Sequence, residues 1–362
     1  MSGLTLKPIL GCNMGCVGCY EGDIFRANGN KPAPYDIDAM AARFGDKPGP
    51  VVLHGGEIGL MPTSDMRAII ERLPGRQINM QTNGSLLRQS VLDLCKEFDV
   101  HVGVSLNGPD VLNRDRRAAP HQSVASDEMT DKLTARIFAN IEKARGMGIN
   151  CSVITVLSKT NVGTDEDLER CIAWAADWGE RLGIWHWRWN TLHEEVLEHG
   201  AAVELSPERA SEVYRRLVDA TFADERRKWN PFREFVGNLT GASLQPCWMG
   251  PCDPYNTEAV YSVFGDGSVG NCLRTAKDGV PYLRSEDGIQ HFRQEVLSAI
   301  PMSDGGCGGC RWWKYCHGAC PAEAVDGDWR NKSKFCQMYI DTYEHIEKRI
   351  RGVQPDWRRT ER

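Results

Sequence analysis

The stretch Gly11-Cys12-Asn13-Met14-Gly15-Cys16-Val17-Gly18-Cys19-Tyr20-Glu21 carries three cysteines at the spacing C-x3-C-x2-C. Three thiolates on one short loop suit three corners of a [4Fe–4S] cube, and the fourth iron then stays open to a small molecule. A structural zinc ion needs four protein ligands, so a zinc knuckle here would have to recruit a distant fourth residue. The spacing therefore favours a cluster, with zinc as the alternative.

The composition is typical of a globular protein, and the length is sufficient for one large domain and a smaller one. Of the 362 residues, 41% are hydrophobic and 25% are charged, and the net charge of −6 gives no basic surface for nucleic acid. No apolar run reaches the roughly 18 residues of a membrane span. The N-terminus also lacks the pattern of a secretory signal. We therefore expect a cytoplasmic protein that binds neither nucleic acid nor membrane.

Strand-like and helix-like segments alternate from the N-terminus onward. Six strands are predicted, at Leu4–Leu10, Pro50–His54, Ile78–Thr82, Val100–Leu106, Asn150–Leu157 and Ile184–Asn190. Helices are predicted at Asp36–Phe44, Ser64–Leu73, Leu86–Phe98, Asp131–Met147, Asp165–Leu182 and Ser206–Phe222. Repeated βα units imply a parallel sheet, with the active site at the carboxyl ends of its strands.

The order C-N-x-x-C-x-x-C-Y-E at Cys12–Glu21 resembles the radical S-adenosylmethionine (SAM) enzymes. The resemblance implies an α/β fold with a partial (β/α)6 TIM-like barrel, whose cluster on Cys12, Cys16 and Cys19 binds SAM. An electron from a flavodoxin- or ferredoxin-type donor would cleave SAM to a 5′-deoxyadenosyl radical that abstracts hydrogen from substrate. Gly18 departs from the family, in which an aromatic residue is common, so packing near the adenine is expected to differ.

The same resemblance implies a SAM-binding set at the strand ends. Gly55-Gly56-Glu57 resembles the motif that holds the SAM amino group, although Ile58 replaces the usual proline. A serine and a later arginine contact the SAM carboxylate in the family. The matching arginine is Arg117, and the nearby Arg114 and Arg116 leave that choice open. The full set is Gly55, Gly56, Glu57, Asn83, Ser105, Asn107, Arg117 and Leu157.

Eight of the fourteen cysteines lie between Cys247 and Cys336, whereas Cys95, Cys151 and Cys171 are isolated and are predicted to be packing thiols. The eight resemble the SPASM domain, an auxiliary-cluster extension of radical SAM enzymes. The resemblance implies a first auxiliary [4Fe–4S] cluster on Cys247, Cys252, Cys272 and Cys320. It implies a second on Cys307, Cys310, Cys316 and Cys336, for three clusters in all. Two zinc sites are the alternative.

The predicted domains follow from these patterns. Residues 1–204 form the barrel and 205–246 a helical connector. Residues 247–345 form a small Cys-rich domain with short helices and a β-hairpin that turns at Asp266-Gly267, and 346–362 form a C-terminal tail.

The segment Trp185-His186-Trp187-Arg188-Trp189-Asn190 alternates as a strand does, with indoles on one face and polar side chains on the other. Either the polar face points into the barrel, or the indoles form an aromatic wall there. Packing of the indoles under the helices is the plain structural alternative. His186, Arg188 and Tyr20 are the candidate catalytic residues.

The substrate follows only from the family. SPASM enzymes mostly modify ribosomally made peptides, so we predict an oxidative cross-link or dehydrogenation of a peptide. In sulfatase maturases an Asp follows the cysteine at the position of Cys272, and Leu273 and Arg274 stand there instead. The cluster loop begins by residue 12, so leader recognition is expected to need a separate protein or the barrel itself.

Two rival functions remain open. One is a small-molecule enzyme, such as a dehydrogenase or epimerase acting on a sugar or cyclitol. The other is a non-catalytic iron–sulfur scaffold, against which the intact Gly55-Gly56-Glu57 motif and Ser105 count.

Overall fold

The computed structural model describes residues 3–22, 33–44, 49–120, 125–192, 200–242, 260–270, 272 and 293–353. The chain divides into two compact units. The first holds the described residues up to Glu204 together with 260–270 and 272. The second holds 205–242 and 293–353.

A parallel sheet forms the centre of the first unit. Its strands are β1 (Gly3–Ile9), β2 (Val51–Gly55), β3 (Ile78–Thr82), β4 (His101–Ser105), β5 (Cys151–Leu157) and β6 (His186–Thr191). Each strand pairs in parallel with the next in sequence. The predicted succession of six parallel strands is confirmed, and all their carboxyl ends lie at one edge of the sheet.

Helices connect these strands, and their ends follow local capping chemistry. They are α1 (Ile37–Ala41), α2 (Thr63–Glu71), α3 (Gln89–Glu97), α4 (Asp127–Gly146), α5 (Lys159–Val162), α6 (Asp165–Leu182) and α7 (Gly200–Val203). The start predicted for α4, Asp131, was wrong because the Ser126 side chain accepts from the Met129 N–H and begins the helix earlier. The prediction for α6 agrees with the structure, and the left-handed Gly183 ends that helix.

A hairpin of β8 (Val260–Phe264) and β9 (Val269–Gly270) turns at Gly267, as predicted. It does not belong to a separate C-terminal domain, however. β8 pairs in parallel with β1, with Leu6 opposite Val263, and so extends the sheet of the first unit. The strand covers an edge of β1 that would otherwise expose unpaired backbone groups, which explains the correction.

The second unit contains β7 (Lys228–Asn230) and the helices α8 (Pro207–Phe222), α9 (Phe232–Leu239), α10 (Arg293–Ala299), α11 (Trp313–Cys316) and α12 (Cys336–Val353). The predicted tail from residue 346 was wrong as far as Val353, because Ile346 and Ile350 are buried and keep the chain helical. The predicted connector is not separate either, since α8 packs along α12. No helix among the described residues is both long and apolar enough to cross a membrane.

The indoles of β6 are core residues, which resolves the alternation seen in the sequence. Trp187 and Trp189 are buried, and the Trp187 ring lies 4.7 Å from that of Trp174 on α6 at an angle of 90°. The Trp187 Nε1–H donates to Thr155 Oγ1 at 2.9 Å. The indoles therefore pack under the helix, and the polar residues of β6 lie on the opposite face.

Replacing Trp187 with Ala should lower the free energy of unfolding by about 3–5 kcal/mol, because the change removes a buried aromatic ring from a packed cluster. His186→Ala is the matched control on the neighbouring, exposed position, and it should change that free energy by less than about 0.5 kcal/mol. Urea unfolding followed by circular dichroism would measure both. Equal effects of the two substitutions would refute the packing described for β6.

Candidate active site

A cavity of about 310 Å³ opens at the carboxyl ends of the strands in the first unit. All three cysteines of the loop after β1 line it, and so do residues at the ends of β2, β3, β4 and β6. Of the predicted SAM-binding residues, five line this cavity: Gly55, Gly56, Asn83, Ser105 and Asn107. The structure thus brings the cysteine loop and most of the predicted binding set together.

Backbone hydrogen bonds hold the cysteine loop against the strand ends. The Glu57 N–H donates to Gly11 O at 2.8 Å, and the Val17 N–H donates to Asp115 O at 2.7 Å. Asn83 Nδ2 donates to Asn13 Oδ1 at 2.9 Å. Because the loop is held from several sides, its three cysteines face one cavity.

Two thiols of this loop have raised pKa values. Burial raises the pKa of Cys12 to about 12, and the neighbouring Cys16 and Glu57 add to the shift. Burial, followed by Cys16 and Glu21, also raises the pKa of Cys19 well above its usual value. A bound cationic cluster would reverse this, because metal coordination deprotonates a thiol outright.

The donor set of this loop suits an iron–sulfur cluster. Its three cysteines border an open cavity. A cube of four irons needs ligand sulfurs farther apart than a mononuclear site does, so the donor set is suited to a [4Fe–4S] cluster.

Glu57 does not line the cavity, although the sequence predicted that its carboxylate would bind the SAM amino group. Its Oε1 accepts from the Gly59 N–H at 2.8 Å and from Thr82 Oγ1 at 2.5 Å, and its Oε2 accepts from the Asn83 N–H at 2.6 Å. Burial raises the pKa of Glu57, and these hydrogen bonds oppose the rise. The carboxylate therefore holds the ends of β2 and β3 together.

The arginine that faces the cavity is Arg116, not the predicted Arg117. Arg116 lines the cavity, and its Nε is buried with no hydrogen-bond partner among the described residues. Arg117 is exposed and does not line the cavity, and its carbonyl accepts from the Gly15 N–H at 3.2 Å. Arg114 pairs with Asp127 and Asp131. Arg116 is thus the cation available to an anionic ligand.

The prediction that Leu157 belongs to the SAM-binding set was also wrong. It is fully buried and is not among the residues that line the cavity, whereas Ile154 and Val156 are. Alternate residues of a strand face opposite sides, so the even-numbered positions of β5 supply the apolar wall.

Of the three predicted catalytic residues, one lines the cavity and two do not. Tyr20 lines the cavity, and Asn190 at the end of β6 does too. His186 and Arg188 do not line it. They lie nearer the start of β6, whereas the cavity lies at the carboxyl ends of the strands, so both predictions are corrected.

A buried ion pair that the sequence analysis missed lies beside the cysteine loop. Lys7 is fully buried on β1, and its Nζ contacts the Glu21 carboxylate. Its Nζ is also 5.5 Å from the centre of the Tyr20 ring. Burial lowers the pKa of Lys7, and Glu21 opposes that shift. The only available signal was a lysine inside an otherwise apolar predicted strand.

His54 is a second cavity residue with no predicted role. The Gly55 N–H donates to its Nδ1 at 2.8 Å, and the same nitrogen lies 3.1 Å from Gly55 O. Burial lowers the pKa of His54 to about 3, and the charge of Lys7 acts in the same direction. His54 is therefore a neutral group of the cavity wall near pH 7. Asp115, also in the wall, accepts from Ser158 Oγ and Thr160 Oγ1 at 2.6 and 2.7 Å.

The absence of a side chain at Gly18 leaves room for Leu192, which follows β6. A Cβ at this position would lie 2.0 Å from Leu192 Cδ1, just beyond β6. Both residues line the cavity. Leu192 therefore occupies the space in which the family commonly places an aromatic residue at position 18.

A second group of cysteines lies in the second unit. Cys307, Cys310, Cys316 and Cys336 line one cavity, which is otherwise largely aromatic, with Trp312, Trp313, Tyr339 and Tyr343. The structure thus brings together all four residues predicted for the second auxiliary cluster.

The four cysteines predicted for the first auxiliary cluster are Cys247, Cys252, Cys272 and Cys320. Cys247 and Cys252 lie outside the described residues. Cys272 belongs to the first unit, where it lies near Lys7, and Cys320 is buried in the second unit near Tyr339. The three isolated cysteines, Cys95, Cys151 and Cys171, are buried, as expected of packing thiols.

Comparison with known proteins identifies the class that this fold and site define. Residues 6–175 match the family model of the Radical SAM superfamily. The match supports the predicted radical SAM class for this part of the chain. That family implies a [4Fe–4S] cluster, SAM as a cofactor, and radical chemistry that begins with SAM cleavage.

The chain is similar along its length to particular proteins of this class. It is 22% identical over 393 aligned residues to a serine-type anaerobic sulfatase-maturating enzyme of Bacteroides thetaiotaomicron, covering 95% of this chain and 89% of the relative. It matches native anSMEcpe with bound AdoMet and Cp18Cys peptide at a TM-score of 0.70 and 17% identity, over 97% of this chain and 98% of that one. It matches Streptococcus suis SuiB bound to precursor peptide SuiA at a TM-score of 0.58 and 14% identity, over 93% and 76%. These structural matches confirm the predicted fold class.

Replacing Glu57 with Gln should lower the free energy of unfolding by about 1–3 kcal/mol. Both carboxylate oxygens accept from backbone N–H groups, so either orientation of the amide places its NH₂ against a donor. Glu71→Gln, on the exposed face of α2, is the matched control and should have little effect. Urea unfolding would measure both variants, and wild-type stability of the Glu57 variant would contradict the network.

Gly18→Phe should disturb the cysteine loop and reduce both iron incorporation and SAM cleavage, because its side chain would overlap Leu192. Leu192→Ala should restore both in the double variant by vacating that space. Iron content and 5′-deoxyadenosine yield after anaerobic reconstitution are the measurements, with Leu192→Ala alone as the control. A fully active Gly18→Phe single variant would show that the two positions do not compete.

Proposed function

We propose that this chain is a radical SAM oxidoreductase of the SPASM group that oxidises a ribosomally made peptide. The observation that carries the proposal is the pair of cysteine sites. In the first site, three cysteines share a cavity with the Arg116 side chain and with polar groups at the strand ends. In the second site, four cysteines line a largely aromatic cavity. The first suits a cluster with one open iron, and the second suits a fully ligated one.

The first cavity offers groups for each part of SAM. Arg116 would bind the carboxylate, because its guanidinium is the cationic group at the wall and its Nε lies buried. Gly55 and Gly56 would bring backbone carbonyls to the amino group, while Ser105 and Asn107 supply neutral polar contacts. Bound there, the cluster and SAM supply a 5′-deoxyadenosyl radical once an electron arrives from a flavodoxin- or ferredoxin-type protein.

The substrate is argued from the relatives and from the second site. Two of the matched structures contain a bound peptide, which is Cp18Cys in anSMEcpe and SuiA in SuiB. We further propose that the second unit is an auxiliary-cluster domain with Cys307, Cys310, Cys316 and Cys336 as ligands, and that three clusters are present in all. Oxidation of a peptide by two electrons needs an acceptor for the second electron, and such a cluster would supply it.

Sulfatase maturation is the less favoured form of this proposal. One relative is a sulfatase-maturating enzyme. In that group an Asp that acts as a base follows the cysteine, whereas this chain has Leu273 and then Arg274 there. Both residues lie outside the described part of the chain, so the argument rests on the sequence alone.

Cys16→Ala should abolish SAM cleavage while leaving about eight irons per chain, the content of two cubes. Cys310→Ala should instead spare SAM cleavage and reduce product formation. Cys95→Ala, which removes a buried thiol outside both sites, should keep all irons and full activity. Retained SAM cleavage in Cys16→Ala would contradict the assignment of the first cluster.

The substrate class is tested with reconstituted, reduced enzyme, SAM and short peptides encoded beside the gene, under anaerobic conditions. We expect 5′-deoxyadenosine to form together with a peptide that has lost about two hydrogens, measured by mass spectrometry. Deoxyadenosine formation with an unchanged peptide, in normal and in heavy water, would favour a small-molecule dehydrogenase or epimerase instead. No SAM cleavage at all would leave only the scaffold.

A further inference from the structure

The cavity with four cysteines in the second unit contains one charged side chain. Of the described residues that line it, only Lys332 carries a charge. Its Nζ donates to Gly306 O at 3.1 Å, which places the ammonium beside the loop that carries Cys307. Lys332 is thus held against the proposed ligands by a contact of its own.

A second cation supports the same loops from within the protein. Arg293 is 3% exposed, and it donates to the carbonyls of His317 and Gly318 at 3.2 and 3.1 Å. It also donates to the carbonyls of Trp329 and Asn331, both at 2.8 Å. The guanidinium therefore joins the turn after Cys316 to the segment that leads to Lys332.

A buried carboxylate bonds to two residues of the cavity wall. Glu323 is buried, and its Oε2 accepts from Ser333 Oγ at 3.0 Å and from Tyr339 Oη at 2.9 Å. Ser333 and Tyr339 both line the cavity, so their hydroxyl groups separate the acid from the thiols. The side chain that faces the cysteines directly with a charge is the ammonium of Lys332.

Cations next to a cluster affect its redox equilibrium. A [4Fe–4S] cluster with four thiolates is an anion that becomes more negative when it is reduced, and nearby positive charge stabilises the reduced form. The effect is strong when the surroundings exclude water, because the effective dielectric constant is then low. The aromatic walls of this cavity provide such surroundings.

We propose that Lys332 raises the reduction potential of the cluster held by Cys307, Cys310, Cys316 and Cys336, and so makes this site the acceptor of the electron released by the substrate. This rests on the proposed function. The deoxyadenosyl radical takes a hydrogen atom from a substrate C–H bond and becomes 5′-deoxyadenosine. The substrate radical then gives one electron to this cluster and releases one proton, which completes a two-electron oxidation. Lys332 acts as a tuning residue and touches no substrate.

The test compares Lys332→Met with wild type in the fully reconstituted enzyme, using redox titrations followed by electron paramagnetic resonance without substrate. We expect the midpoint potential of one cluster to become more negative in the variant and to return toward the wild-type value in Lys332→Arg. The signal that Cys310→Ala removes identifies the cluster concerned. Lys334→Met, two residues away with its Nζ 5.6 Å from the centre of the Phe335 ring, is the matched control and should leave the potential unchanged.

An unchanged potential in Lys332→Met with full iron content would overturn the proposal. A loss of iron that Lys332→Gln and Lys332→Arg share would also overturn it, since the residue would then be needed for assembly. Product formed per 5′-deoxyadenosine is the second measurement, and it should fall in Lys332→Met. If the potential drops while this ratio stays constant, the cluster is not the acceptor. Because the titration needs no substrate, its outcome is independent of whether the peptide assignment is correct.

Discussion

Everything at the candidate active site depends on how the loop of Cys12, Cys16 and Cys19 is held at the strand ends. The central contact is the Glu57 carboxylate, which accepts from Gly59, Thr82 and Asn83 and so joins the ends of β2 and β3. Hydrogen bonds to a charged group are worth about 1.5–3 kcal/mol each. The backbone N–H of the same residue donates to Gly11 O. One residue thus couples the sheet to the cysteine loop.

The strands and helices could be predicted from the sequence because their signals are local, whereas the auxiliary cysteine sets were implied by resemblance to a family. Periodicity located the strands, and α6 has the predicted bounds because Thr164 and Gly183 fix its ends. The direction of a side chain in an irregular segment depends on tertiary contacts. Arg116 and Arg117 are equally compatible with the spacing, and the folded chain places Arg116 in the cavity wall and leaves Arg117 exposed. The position of the hairpin depends on the open edge of β1, which no local pattern reveals.

Lys7 and Glu21 show a different limit of sequence reasoning. A buried charge costs several kcal/mol unless a partner and further contacts compensate it, so a lysine in a strand normally predicts exposure. Here the partner comes from the end of the cysteine loop, fourteen residues later. The pair leaves no net charge beside Cys19, so it stabilises the path of the loop without adding a cation to the cluster environment. Neutral His54 next to it adds no charge either.

The two cysteine sites therefore differ in electrostatics, and the difference suits their proposed tasks. In the first unit, Lys7 is neutralised by Glu21, and Arg116 is the cation left to bind an anionic ligand. In the second unit, Lys332 lines the cysteine cavity, and the carboxylate of Glu323 accepts hydrogen bonds from two hydroxyl groups. Positive charge favours the reduced state of a cluster. Once an anionic ligand occupies Arg116, the first site would carry no uncompensated cation and would favour electron donation to SAM. The second site keeps Lys332 and would favour electron uptake, so one chain could both begin and complete an oxidation.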